Sequence, residues 1–221
     1  EKYAPDKIKK GARITFVDVT KMKKVRYRHV LLVEPVRGGA FVAMQTHAGG
    51  LAYRDGYLYV AGTDEVLVFD TTKVFRAHAN PKKNRLGFWR KPNRVYALDY
   101  RYIMPMVRRY TKAQLGMTGK TRLSYASVDY STPSKPLLVM GNFHKHPKYS
   151  NKPIRVCRWS FGKPGHILSG PKDCIKKGLR GSTQGGAMNG SLVYLATSGD
   201  KAKLWVGRRK GTRLTKLKAY P

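Results

Sequence analysis

Tyrosine, histidine and basic side chains dominate the chemistry this sequence offers. There are 14 tyrosines, 6 histidines and 45 lysines and arginines. Carboxylates are scarce: Asp and Glu together number 12, and Glu1, Glu34 and Glu65 are the only glutamates. That inventory suits β-elimination on a uronic acid. The reaction removes the proton on the carbon beside the sugar carboxylate and then expels the glycosidic oxygen. A cation or amide must hold the carboxylate while it takes on enolate charge. A His, Lys or Tyr accepts the proton, and a second group, often a Tyr, donates one to the leaving oxygen. The reaction needs neither metal nor cofactor, and the expectation is none of either.

Two segments place a polar residue just ahead of Gly-Gly. One is His47-Ala48-Gly49-Gly50 and the other is Gln184-Gly185-Gly186. His47 is the expected base and Gln184 an expected carboxylate ligand. Tyr100-Arg101-Tyr102 reads as an alternating strand, with both tyrosines on one face and Arg101 on the other. Tyr102 or Tyr100 is the expected acid. Tyr27-Arg28-His29 alternates in the same way. Arg101 or Arg28 is expected on the carboxylate with Gln184. His29, Arg122 and Trp89 complete the expected substrate-binding set. A packing role competes for each: a lone His before glycines is more often a structural hydrogen-bonding residue, and alternating Tyr more often fills a half-buried strand face.

Rival chemistries fare worse. No Walker loop occurs, and no helix pattern follows Gly185-Gly186. His144-Lys145-His146 lies in a Lys-rich segment with no neighbouring carboxylate or Cys, so it reads as surface loop rather than metal site. No Gly-x-Ser-x-Gly elbow is present. Glycoside hydrolysis needs two well-placed carboxylates. Asp55, Asp64 and Asp200 sit at turn positions, and Asp18, Asp70, Asp99 and Asp129 end strand runs, so turn formation is their default role. A hydrolase using an Asp/Glu pair stays an alternative.

The formal charge is +33. Such a chain attracts anions at long range. Lys82, Lys83, Arg85, Phe88, Trp89, Arg90 and Lys91 interleave basic and aromatic groups as single-strand nucleic-acid binders do. No helix-turn-helix, zinc finger or RNP motif accompanies them. The expected partner is therefore an acidic polysaccharide, with nucleic acid less favoured. A non-catalytic polyanion-binding module is the second reading.

The elements that must position these residues are strands. Strand-like runs recur at 13–19, 27–33, 50–53, 57–61, 66–69, 94–110, 123–128, 137–140, 154–159, 186–188, 192–196 and 204–206, with turn residues between them. Asp55-Gly56 between aromatic-rich runs is a hairpin signal. The segments 47–61 and 183–196 look alike, each with Gly-Gly, a short strand, a glycine turn and an aromatic-rich strand. Repeated units of this kind, at the usual blade spacing of roughly 40 residues, predict an all-β, single-domain, propeller-like fold of about five blades over 1–221. Residues 77–92 and 142–153 read as long basic loops. Residues 111–116 read as a short helix. Cys157 and Cys174 fit either a disulfide or two free thiols. No apolar run is long enough to span a membrane. A start at Glu1 rather than Met is expected of a mature product or an excised domain. A monomer is expected.

The runs Arg13-Ile-Thr-Phe-Val-Asp, Tyr27-Arg-His-Val-Leu-Leu-Val-Glu-Pro, His47-Ala-Gly-Gly-Leu-Ala, Tyr57-Leu-Tyr-Val-Ala, Val68-Phe-Asp, Tyr100-Arg-Tyr-Ile-Met-Pro and Gln184-Gly, in that order, resemble a family of secreted actinobacterial proteins. The resemblance implies secretion and a propeller-like β fold, with no settled activity. The excess of Lys, Arg and Tyr, the size and the excised-looking start resemble, more weakly, a virion-packaged chlorovirus domain that degrades the algal host's wall. That resemblance implies an enzyme acting outside the cell on glucuronate-rich wall polysaccharide.

Overall fold

A computed structural model describes residues 11–78, 85–90, 93–117, 122–143, 155–199 and 202–220. The protein is all-β, as expected: strands make up 59%, in curled sheets, and no α-helix occurs among the described residues. In chain order the strands are β1 (Arg13–Asp18), β2 (Arg26–Pro35), β3 (Phe41–Ala43), β4 (Gly50–Arg54), β5 (Tyr57–Ala61), β6 (Glu65–Asp70), β7 (Phe75–Arg76), β8 (Leu86–Trp89) and β9 (Arg94–Ala97). There follow β10 (Tyr102–Thr111), β11 (Leu123–Asp129), β12 (Leu137–Asn142), β13 (Val156–Ser160), β14 (Asp173–Ile175), β15 (Thr183–Asn189), β16 (Leu192–Thr197), β17 (Leu204–Lys210) and β18 (Arg213–Tyr220). They fall into two compact units, one of residues 1–46 and 69–107, the other of 47–68 and 108–221. Strands β6 and β10 each begin in one unit and end in the other.

In the smaller unit β1 runs antiparallel to β2, and the start of β10 runs parallel to β2, with Ile103 opposite Leu31. Strand β3 adds to β2, and β7 to β10. Leu31, Val33, Ala43, Ala77, Ala97 and Ile103 form its core, with Tyr100 packed at the margin. Part of the expected 77–92 loop is strand: Leu86 pairs with Ala97 in the β8–β9 hairpin, and His78 bridges to Tyr96. Residues 79–84 and 91–92 of that loop, and residues 144–153 of the second one, lie outside the described residues.

The larger unit contains three antiparallel meanders: β4-β5-β6, β11-β12-β13-β14 and β15-β16-β17-β18. Strand β12 explains how they stack. Side chains alternate across a strand, and β12 is buried along its whole length. Leu138 and Met140 enter one apolar layer with Tyr59, Val66, Val68 and Trp159. Val139 enters another with Tyr125, Met188, Val193, Leu195 and Leu214. The middle sheet is thus covered on both faces, which is why its central strand reads as an unbroken apolar run.

The first strands of the three meanders are neighbours, with β11 between β4 and β15. Glycine makes this approach fit. A Cβ on Gly50 would strike the backbone of Tyr125 and Ala126, and one on Gly186 would strike the Tyr125 ring. Gly49, Gly50 and Gly186 are therefore close-packing positions. Residues 112–116 form turns rather than the expected helix. The Gln114 side chain takes the Thr111 amide at 2.8 Å, and Trp159 Nε1 donates to the Leu115 carbonyl at 2.9 Å, so side chains satisfy groups a helix would pair internally. Cys157 and Cys174 are disulfide-bonded partners across β13 and β14, 17 residues apart.

Gly186→Ala is expected to lose about 1–3 kcal/mol through overpacking. Gly185→Ala, whose Cβ meets only Ala196 Cβ at 3.3 Å, should lose less. Urea denaturation of the two variants checks the order. Reducing the disulfide should lower stability by about 3 kcal/mol, the chain-entropy value for a loop of this size, read as a shift of the same unfolding midpoint.

Candidate functional site

The irregular starts of β4, β11 and β15 create the first site. At β4 the Gly49 amide donates to both the His47 carbonyl, at 2.8 Å, and the Ala61 carbonyl, at 2.9 Å. The chain kinks there, and His47 is exposed. Its ring lies beside the start of β11: a Cβ built on Gly49 would sit 3.4 Å from His47 Cδ2 and 3.0 Å from Ser124 Cα. Partial burial and the charge of Arg122 hold the imidazole below the ordinary His pKa. At neutral pH His47 is therefore an uncharged base within the field of an exposed guanidinium.

Strands β11 and β15 both carry a bulge at the equivalent point, between Leu123 and Tyr125 and between Thr183 and Gly185. The bulge residues are Ser124 and Gln184. Ser124 Oγ donates to the Thr183 carbonyl at 3.1 Å, tying the two bulges together. Gln184 is exposed on β15. It stands on the opposite flank of β11 from His47, so β11 separates the two Gly-Gly sites. The sequence reading missed this middle copy of the motif, because Tyr125 and Ala126 stand where the last copy has Gly185 and Gly186. Tyr125 is buried, which raises its hydroxyl pKa, and the hydroxyl has no hydrogen-bond partner among the described residues.

The remaining expected residues belong to the smaller unit. Strand β10 begins at Tyr102, and the chain bends at Arg101. Tyr100 therefore does not share a strand face with Tyr102; it packs on the core while its amide donates to the Ala97 carbonyl at 2.9 Å. Arg101 is exposed and lines an open cavity with Arg76 and His78. The alternation expected at 27–29 is present: the Tyr27 and His29 rings are 5.2 Å apart. His29 Nδ1 is hydrogen-bonded to Thr15 Oγ1 at 2.8 Å. Arg28 Nη1 donates to the Tyr27 carbonyl at 2.8 Å. Trp89 is exposed on β8, with the Arg85 guanidinium 4.6 Å above its ring. Thus His47, Arg122 and Gln184 share the larger unit, while Tyr100, Arg101, Tyr102, Arg28, His29 and Trp89 share the smaller.

A second feature, at the far end of β11, was not legible as a site. Asp129 closes a turn, as its position predicts, accepting from the Ser131 amide at 2.9 Å. It also accepts from the Gly190 amide at 3.2 Å and from Arg158 Nη1 at 2.8 Å. Arg158 grips Asp173 with two further bonds, at 2.9 and 2.7 Å, and Arg209 Nη1 reaches Asp173 at 3.0 Å. The side chains of Asp129 and Arg158 are only 1% and 11% exposed. Burial raises both carboxyl pKa values, but the bonds from Ser131, Arg158 and Gly190 at Asp129, and from Arg158 and Arg209 at Asp173, outweigh it and hold both below the ordinary range. Both are ionised at neutral pH. Acid catalysis of glycoside hydrolysis needs a carboxyl with the opposite shift.

Among the described residues, no group of three or more His, Cys, Asp or Glu side chains is placed to hold a metal ion. No protein-family model, curated protein or solved structure matches this chain.

A carboxyl whose folded pKa is depressed stabilises the protein above its unfolded pKa, and that gain is lost as pH falls through the folded value. The protein should therefore lose stability on acidification below about pH 4. Asp129→Asn should cost about 3 kcal/mol at neutral pH, the scale for breaking a buried pair. It should also flatten the acid limb. Thermal melts from pH 7 to pH 2 check both.

Proposed function

We propose that this protein captures a uronate-rich polysaccharide and cleaves it by β-elimination at His47. The observation that carries the reading is an exposed imidazole, beside the irregular start of β11 and within the field of the Arg122 guanidinium, on a chain of net charge +33. Arg122 holds the sugar carboxylate and stabilises the enolate charge. His47 takes the proton from the carbon bearing that carboxylate. The released electron pair forms the ring double bond, and the neighbouring glycosidic oxygen departs, taking up a proton from water, while the imidazolium returns its proton to solvent. The cationic surface concentrates the acidic chain and steers it.

The three meanders with adjacent first strands support a propeller-like reading of the larger unit. The Cys157–Cys174 disulfide supports work in an oxidising, extracellular setting, either after secretion or from a virion. We take glucuronate-rich wall polysaccharide as the substrate and the monomer as the working form. No helix among the described residues is long and apolar enough to cross a membrane.

Incubation with polyglucuronate should raise the ultraviolet absorbance of an unsaturated uronate and release fragments of matching mass. Reducing ends without that absorbance would replace elimination with hydrolysis. Binding without product at any protein concentration would leave a binding module. His47→Ala should lower kcat/KM by about 10²–10⁴-fold. The acid limb of the pH profile should have its inflection below 6.5, because His47 must be unprotonated to act. Arg122→Gln should raise KM and move that limb to higher pH, since the guanidinium charge helps hold the imidazole pKa down.

A further inference from the structure

At the end of β11 remote from His47, a cavity of about 520 Å³ opens among the turns of the larger unit. Strand β11 is seven residues long, so the two places are separated by about 20 Å at the usual rise per residue. We propose that this cavity is a second binding site, one that seats an acidic sugar unit.

The walls are Lys135, Lys172 and Arg209, with the hydroxyls of Ser131, Thr132 and Ser191 between them. Lys135 and Lys172 are exposed and have no carboxylate partner among the described residues. Arg209 is held in place from behind, its Nε donating to the Gly211 carbonyl at 2.9 Å and its Nη1 to Asp173 at 3.0 Å. The floor is Asp129 and Arg158, part of a network in which Arg158 and Arg209 neutralise the carboxylates of buried Asp129 and half-buried Asp173. Asp129 also fastens the 131 and 190 turns through their amides, so the network sets the shape of the cavity. Lys135 and Lys172 remain as unbalanced charge facing the opening.

Size and lining select the ligand. The volume lies in the range of small-molecule sites, so a bare inorganic anion would leave it largely empty. Three hydroxyls beside two ammonium groups match a sugar ring that carries hydroxyls and one anionic group. Among the described residues no aromatic side chain lines the cavity, so they offer no stacking platform of the kind a nucleobase uses. A hexuronate unit held by charge and hydrogen bonds is the occupant this chemistry describes. The proposal goes beyond cleavage at His47 and does not need it: a site here would hold a segment of chain while another segment is processed, or hold it alone.

The test uses the full chain with His47→Ala, so that the ligand stays intact. Oligoglucuronate binding is measured by calorimetry in this background, in the Lys135→Gln/Lys172→Gln double variant and in Lys23→Gln/Lys24→Gln. The last pair is exposed in the smaller unit and removes the same charge. The cavity double variant should bind at least tenfold more weakly, the control within twofold, with circular dichroism unchanged in both. Glucuronate monosaccharide should shift the amide resonances of Ser131, Gly190 and Ser191, while a neutral gluco-oligosaccharide should not. Equal weakening by the two doubles, unchanged binding in the cavity double, or equal binding of neutral and acidic sugars would overturn the proposal. Absence of product from the unaltered protein would sink the elimination reading alone, because none of these binding measurements depends on turnover.

Discussion

The closeness with which β4 and β15 approach β11 is the constraint on which the larger unit depends. Two sheets can bring their first strands against a third only where side chains are absent, and Gly49, Gly50 and Gly186 meet that condition. Filling the same space from the other side is Tyr125, whose ring lies over Gly141 and Gly186. One large side chain and a few missing ones thus form a single fitted joint. Dense packing makes such a joint intolerant of even one added methyl group. Both polar sites hang from this strand: its irregular start carries Arg122 beside His47, and its last residue is Asp129.

Charge organises the rest. Six of the carboxylates are paired to the protein's own cations: Asp55 to Arg54, Asp64 to Lys112, Glu65 to Arg109, Asp70 to Lys73, and Asp129 and Asp173 to Arg158 and Arg209. The exposed pairs contribute little to stability, on the order of 1 kcal/mol or less. Their effect is to take acid groups out of play, so the large cation excess faces solvent uncompensated. The Arg158 network differs because it is desolvated. A buried charge left without its partner is costly, and the network therefore fixes the turns that present Lys135, Lys172 and Arg209.

Under the proposed function, the two ends of β11 divide the requirements of polyanion chemistry. The His47 end offers a neutral base next to a cation, which suits bond breaking. The Asp129 end offers cations and hydroxyls around a carboxylate network already paired to Arg158 and Arg209, which suits holding. On the proposed reading a long acidic chain engages both ends, and effective concentration then favours retention over either contact alone.

Local chemistry was readable from the residues themselves. Strand propensity and turn residues determined an all-β chain, the Asp55-Gly56 turn was visible, and both Gly-Gly motifs stood out as related. The charge of +33 needs only counting. Tertiary structure decided what those motifs are for. The Gly-Gly pairs looked like signposts to a polar channel, yet Gly49, Gly50 and Gly186 are close-packing positions, and the third copy was hidden because a tyrosine replaces a glycine in it. Tyr100 and Tyr102 alternate on paper, but a bend at Arg101 starts the strand too late for them to share a face. The Asp129 network was beyond reach for a plain reason. Arg158 and Gly190 lie 29 and 61 residues from Asp129 along the chain. A sequence reports what each residue prefers beside its neighbours, whereas an ion pair depends on which sheets stack and in what register, and only the folded chain sets that distance.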